Sequence, residues 1–165
     1  PVRAMLESSV SEVIGLHPLF GPSVPSLEGQ NIAVCPARGG RWLPWVRDVF
    51  GRNGAKLVET TPERHDEIMA VVQVLNHLNT LALGLAVRDT GMSREELGRF
   101  STPLFRGKME MIDRVFSRPD LHAEIIEGNP HTGRMIGLYR RALDRIAQAA
   151  LEGDAPAVAA LMRTR

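Results

Sequence analysis

From Thr61 to about Val87 the chain is apolar on nearly every face that a helix would present. Thr61-Pro62-Glu63-Arg64 offers a cap with proline at the first helical position, and the apolar periodicity then runs on to Val87. A helix lacking a polar face belongs at the centre of a bundle or against another subunit. At about 1.5 Å per residue it would reach roughly 40 Å, more than one small domain needs. A helical domain that forms an obligate homodimer is the economical expectation. Gln73, Asn76, His77, Asn79 and Thr80 make residues 68–87 too polar for a membrane span, so no membrane partner is expected.

Within this helix Gln73, His77 and Thr80 stand at i, i+4 and i+7, a narrow polar stripe that Gly84 continues with little bulk. Burying such a line is costly unless its groups find partners or face a ligand. A hydrogen-bonded bridge between helices and a ligand-facing stripe fit it equally well. His65, beside Asp66 near the helix start, lies off the stripe and reads as structural.

The pattern stays helical to the end. Ser93-Arg94-Glu95-Glu96 is a capping box, Thr102-Pro103 opens a helix to about Phe116, and Pro119 opens another ending near Gly128. A long amphipathic helix covers about 131–152, and Gly153-Asp154 breaks it before a last turn, APAVAALM. Upstream, EVIGL (12–16), QNIAVC (30–35) and AKLVETT (55–61) read as strands, and RWLPWVRDVFGRNG (41–54) as a helix stopped by Gly54. The fold class is therefore mainly α: a helical bundle domain, residues 61–165, preceded by a β-β-α-β remnant of an α/β domain, residues 1–60. So small a sheet with parallel-type crossovers would bury itself poorly alone.

A formal charge of +1 gives no reason to expect nucleic acid. Cys35 is the only cysteine, which excludes an internal disulfide and a cysteine-based metal site and fits a reducing, cytoplasmic setting. No signal peptide opens the chain, and its first residue is proline, so something is expected to precede it. GxGxxG, Walker, HExxH and GxSxG motifs are all missing.

Two further places could carry chemistry. GLHPLFGP (15–22) sets His17 before a proline that restricts it to extended geometry, so it reads as a strand end running into a rigid loop. His17 there is either a loop histidine with a local hydrogen bond or a catalytic group. On the helix at 103–116, Arg106–Glu110 and Glu110–Arg114 are i,i+4 pairs, so a solvated salt-bridged face is the default. The alternative is a guanidinium turned into a cleft to hold a carboxylate. Arg118, His122 and His131 show no resolvable role.

Three segments resemble the prephenate dehydrogenase family. GLHPLFGP is similar to that family's HPMFGP loop, HDEIMAVVQVLNH (65–77) to its HD…QALxH helix, and FRGKMEMIDRVF (105–116) to its arginine-bearing helix. LHAEII (121–126) then matches the short helix that follows, and the order is kept over nearly the whole chain. The resemblance implies an oxidoreductase of tyrosine biosynthesis that decarboxylates prephenate oxidatively to hydroxyphenylpyruvate. His17 would take the proton from the ring hydroxyl and His77 would line the substrate pocket with Gln73 and Thr80. Arg114 would hold a prephenate carboxylate, with Arg106 in support. A base at the hydroxyl and a fixed cation for orientation are what that chemistry requires.

The resemblance also implies that the Rossmann-type domain with its glycine-rich turn lies before Pro1, with the 1–60 segment as its remnant. NAD or NADP would serve the intact enzyme, and this chain alone is expected to bind it poorly and not to turn over. Alternatives are a dehydrogenase acting on arogenate or amino-deoxyprephenate, and a non-catalytic helical dimer binding a cyclohexadienyl acid.

Overall fold

A computed structural model describes residues 1–163; 164 and 165, which the sequence analysis includes in the helical domain, lie outside the described residues. The chain divides into two compact units, Pro1–Ile68 and a second from Met69 onward. The division falls inside the long helix.

The first unit is built on a three-stranded sheet: β1 (Val13–Pro18), β2 (Asn31–Arg38) and β3 (Lys56–Glu59), in that spatial order. β2 is central and buried on both faces, with Ile32 and Val34 almost wholly inaccessible and Ala33 and Cys35 close behind. That explains why its apolar run does not alternate with polar residues. β2 pairs with β3 in parallel through the crossover helix α2 (Leu43–Arg52), as the sequence implies, but with β1 antiparallel. The sheet is therefore mixed.

Two local expectations are corrected here. His17 and Pro18 are the last residues of β1, paired with Ala33 and Ile32, and do not lie in a loop beyond it. β1 is an edge strand, where proline is tolerated because a missing N–H costs no ladder bond on the open side. An unexpected helix, α1 (Val2–Ser8), opens the chain and packs on β1 and β2. Seven residues are too few to hold a helix by propensity. Arg38 from β2 supplies the missing support by donating to the carbonyls of Leu6 (2.7 Å) and Ser9.

The helix beginning with α3 (Pro62–Met69) passes through a π-helical segment, Ala70–Leu75, and continues as α4 (Asn76–Asp89). By length and composition alone it is long and apolar enough to cross a membrane, as the core helix of a bundle can also be. It is not the buried centre of one protomer, since Val71 and Val72 are more than half exposed.

The second unit continues with α5 (Arg94–Arg99), α6 (Pro103–Phe116), α7 (Pro119–Glu127), α8 (Thr132–Leu151) and α9 (Ala155–Met162). The expected caps form: the hydroxyls of Ser93 and Thr102 accept from the N–H groups of Glu96 and Phe105. Asp154 caps α9, so the last turn is a full helix. Ala70, Val74 and Met135 form a core cluster that ties α8 to the π segment, and Tyr139 donates a 2.9 Å hydrogen bond to Asn79 of α4. Gly84 lets α6 approach: a Cβ there would lie 2.6 Å from Phe116 and 2.9 Å from Ile112.

Candidate functional site

In the first unit, His17 sits on the face of β1 that also carries Gly15. Residues directly opposite across a ladder share a face, so Ala33 and Cys35 of β2 flank it. The space over Gly15 is taken by Val2 of α1, whose Cγ2 would lie 2.7 Å from a Cβ there, while Ala33 is small beside the His17 ring and a second ring approaches it. The second ring is His65 of α3, whose Nε2 lies 2.8 Å from His17 Nδ1, the ring centroids being 5.1 Å apart and edge to face. His65 Nδ1 in turn lies 3.0 Å from the carboxylate of Asp66. Burial, and secondarily the neighbouring His65, lowers the pKa of His17 below its ordinary value. Burial, with Asp66 and Glu63 contributing, raises that of the Cys35 thiol, which marks Cys35 as inert. His65 is thus hydrogen-bonded to the candidate catalytic histidine, not the bystander its place off the polar stripe suggested.

In the second unit the polar stripe divides. His77 packs edge to face on His122 of α7, with centroids 4.5 Å apart. The Nδ1 atoms of both rings are buried without a hydrogen-bond partner among the described residues. Burial first, then His122, lowers the pKa of His77. Thr80 is buried and returns its hydroxyl to the carbonyl of Asn76 at 3.0 Å. It also lines a cavity of about 120 Å³ with Asn76, Asn79, Lys108 and Met111. Gln73 lies inside the π segment, whose wider turn breaks the α-helical register assumed between Gln73 and His77.

On α6 neither expected i,i+4 pair closes among the described residues. Asp113 instead takes a two-pronged grip from Arg94 of α5, one bond being 2.9 Å. Arg106 donates to the Ser101 carbonyl at 3.0 Å and borders a second cavity, of about 210 Å³, with Arg94, Phe105 and Asp113. Arg114 is exposed and has no ion pair among the described residues. That leaves its guanidinium available to an external carboxylate.

Sequence reasoning passed over His65, Asp66, His122 and Lys108. The HD dipeptide was a usable signal, since a carboxylate beside an imidazole fixes one ring nitrogen as a donor. Nothing in the sequence pairs His77 with His122; only helix packing does. A dinucleotide does not fit the first unit. Its one glycine-containing strand-to-helix turn, Gly39-Gly40, has Gly39 at φ +73° but is already occupied by Glu12, whose carboxylate accepts from the Trp42 N–H at 3.3 Å. A pyrophosphate would meet that negative charge.

Comparison with known proteins places this geometry. Residues 61–164 match the model of the prephenate dehydrogenase dimerization domain. The T-protein of Enterobacter agglomerans is 31% identical over 155 residues, covering 93% of this chain and 42% of that protein. A probable arogenate/prephenate dehydrogenase of Methanocaldococcus jannaschii is 34% identical over 137 residues, covering 79% of this chain and 30% of its own length. The chain thus spans less than half of either relative. Among solved structures, prephenate dehydrogenase from Aquifex aeolicus, in complex with hydroxyphenyl propionate and NAD+, superposes with a TM-score of 0.71 at 22% identity, over 90% of this chain and 55% of that one. The mixed sheet, the long helix and the helices that follow it in the chain share that fold, and with most of the helical part matched by the family model the chain belongs to the prephenate dehydrogenase family.

Proposed function

We propose that this chain carries the substrate-handling part of a dehydrogenase that oxidatively decarboxylates prephenate. The observation that carries the reading is His17: part-buried, bonded through one ring nitrogen, and with its pKa lowered so that the ring is neutral near pH 7. A neutral imidazole of this kind accepts the proton of the substrate's ring hydroxyl through Nε2, which has no partner among the described residues, as carbon dioxide departs. Arg114, without an ion pair among the described residues, holds a substrate carboxylate, and Arg106 supports it electrostatically. His77, with a buried ring nitrogen that lacks a partner among the described residues, and Thr80, beside a polar cavity, line the substrate pocket with Gln73. NAD or NADP would accept the hydride in the intact enzyme, and this chain's own work is to orient the substrate and remove its proton. An arogenate dehydrogenase is the second reading, in keeping with the similarity to a probable arogenate/prephenate dehydrogenase of Methanocaldococcus jannaschii.

The exposed apolar stretch at Ile68, Val71 and Val72 is the face through which two copies associate. Titration calorimetry of prephenate into the chain, with Arg114→Ala alongside, tests the substrate assignment. Binding that the substitution weakens by about 10-fold or more supports it, as expected for loss of a charge-assisted bond of about 1.5–3 kcal/mol. Equal binding by both proteins returns Arg114 to a solvated role, and preference for arogenate over prephenate supports the second reading.

A further inference from the structure

We propose that His65 and Asp66 are positioning residues that lock His17 in the tautomer a general base requires, through the hydrogen-bonded chain Asp66–His65–His17. The proposal rests on the reading of His17 as the base. An ionised carboxylate can only accept, so the 3.0 Å contact between Asp66 Oδ1 and His65 Nδ1 places a hydrogen on Nδ1. A neutral ring carries only one such hydrogen, and His65 Nε2 is therefore bare. His65 Nε2 must then accept in the 2.8 Å contact with His17, which puts the hydrogen of His17 on Nδ1. The lone pair of His17 is left on Nε2, the nitrogen with no protein partner among the described residues.

The alternative tautomer is useless for catalysis. With the hydrogen on Nε2, His17 would offer a donor to a hydroxyl that needs an acceptor. Free imidazole side chains favour that tautomer, so the chain of contacts imposes a form the ring would not choose. When Nε2 takes the substrate proton, the resulting imidazolium keeps its Nδ1–H on His65, and Asp66 stabilises the dipole of that ring from behind. No proton needs to leave His17 along the chain. His65 and Asp66 touch neither substrate nor reacting atoms; they act through His17.

The side chains around the pair agree with this role. Ala33, opposite His17 in the ladder, is small, and β1 holds His17 in that pairing rather than in a mobile loop. A base whose backbone is paired, and whose ring is bonded at one nitrogen, has few orientations left to lose on reaching the transition state.

The first test is a long-range 15N–1H correlation spectrum of the chain at a pH where both rings are neutral. His17 is expected to carry its hydrogen on Nδ1 with Nε2 bare, and His65 to carry its hydrogen on Nδ1. A His17 hydrogen on Nε2 overturns the proposal outright, and the wild-type spectrum alone decides this if a variant fails to fold. In Asp66→Ala the constraint on His65 is gone and His17 should move toward the Nε2–H form; an unmoved spectrum counts against the relay. His65→Gln keeps an acceptor oxygen for the His17 Nδ1–H, whereas His65→Leu removes it. In the dehydrogenase carrying this sequence, His65→Leu should lower kcat by at least about 10-fold with little change in KM, and His65→Gln should recover most of that loss. Equal losses in the two variants would reduce His65 to a packing residue. If prephenate is not turned over at all, the functional reading fails while the spectrum still decides the tautomer.

Discussion

Met135 of α8 is 3% exposed and joins Ala70 and Val74 in the cluster that holds the π segment immediately before His77. Met135→Ala removes the three heavy atoms beyond Cβ, and at about 0.8 kcal/mol for each buried methylene-sized group the transfer loss is about 2.4 kcal/mol. A residual void of roughly 40 Å³, at about 24 cal/mol per Å³, adds about 1 kcal/mol. The expected destabilisation is therefore about 3 kcal/mol, read as a fall in the urea midpoint at unchanged m-value and at one fixed protein concentration. Met135→Leu conserves volume and should cost less than about 1.5 kcal/mol. Because the cluster supports the π segment, amide exchange at residues 70–77 should accelerate in Met135→Ala before the rest of the second unit responds. A loss below about 1 kcal/mol, or equal losses in the Ala and Leu variants, would refute the claim that this cluster anchors the helix carrying His77.

Three other outcomes are expected. His17→Asn in the dehydrogenase carrying this sequence should lower kcat by about 10²–10⁴-fold while KM changes little, and an unchanged kcat would remove His17 from catalysis. Val72→Glu places a charge on an exposed apolar face, so sedimentation velocity at micromolar concentration should show dimer for the wild type and monomer for the variant; identical profiles would remove this face from the interface. His17 and His77 both have pKa values lowered by burial, so the unfolded chain takes up protons first as pH falls below about 6.5. Stability should accordingly be full above that pH and decline from there down toward the folded-state values. Urea midpoints that do not fall between about pH 7.5 and about pH 5.5 would contradict the direction of both shifts.

Much of the local structure is legible residue by residue. Thr61-Pro62, Ser93, Thr102-Pro103 and Pro119 mark helix starts because capping and proline geometry act over three or four residues, within reach of any reader of the sequence. α1 was not legible, since the support for its last carbonyls comes from Arg38 on a strand that follows much later. The π segment was not legible either, because AVVQVL is compatible with an ordinary helical turn and its wider geometry is a matter of backbone bonding. The supposed pairs of Glu110 with Arg106 and Arg114 were reasonable by spacing, and the structure spends a different carboxylate, Asp113, on a different arginine, Arg94.

The sequence by itself determined the kinds of element, their order, and the residues whose chemistry matters: an imidazole before proline, a second within an apolar helix, and arginines on a short amphipathic one. These follow from short-range rules of period, capping and side-chain type. Tertiary structure decided the partnerships. It brought His65 to His17 across 48 positions, set His122 against His77, left Arg114 without an ion pair among the described residues, and gave Asp113 to Arg94. Such pairings depend on how strands register and helices pack, and spacing along a chain carries no record of either.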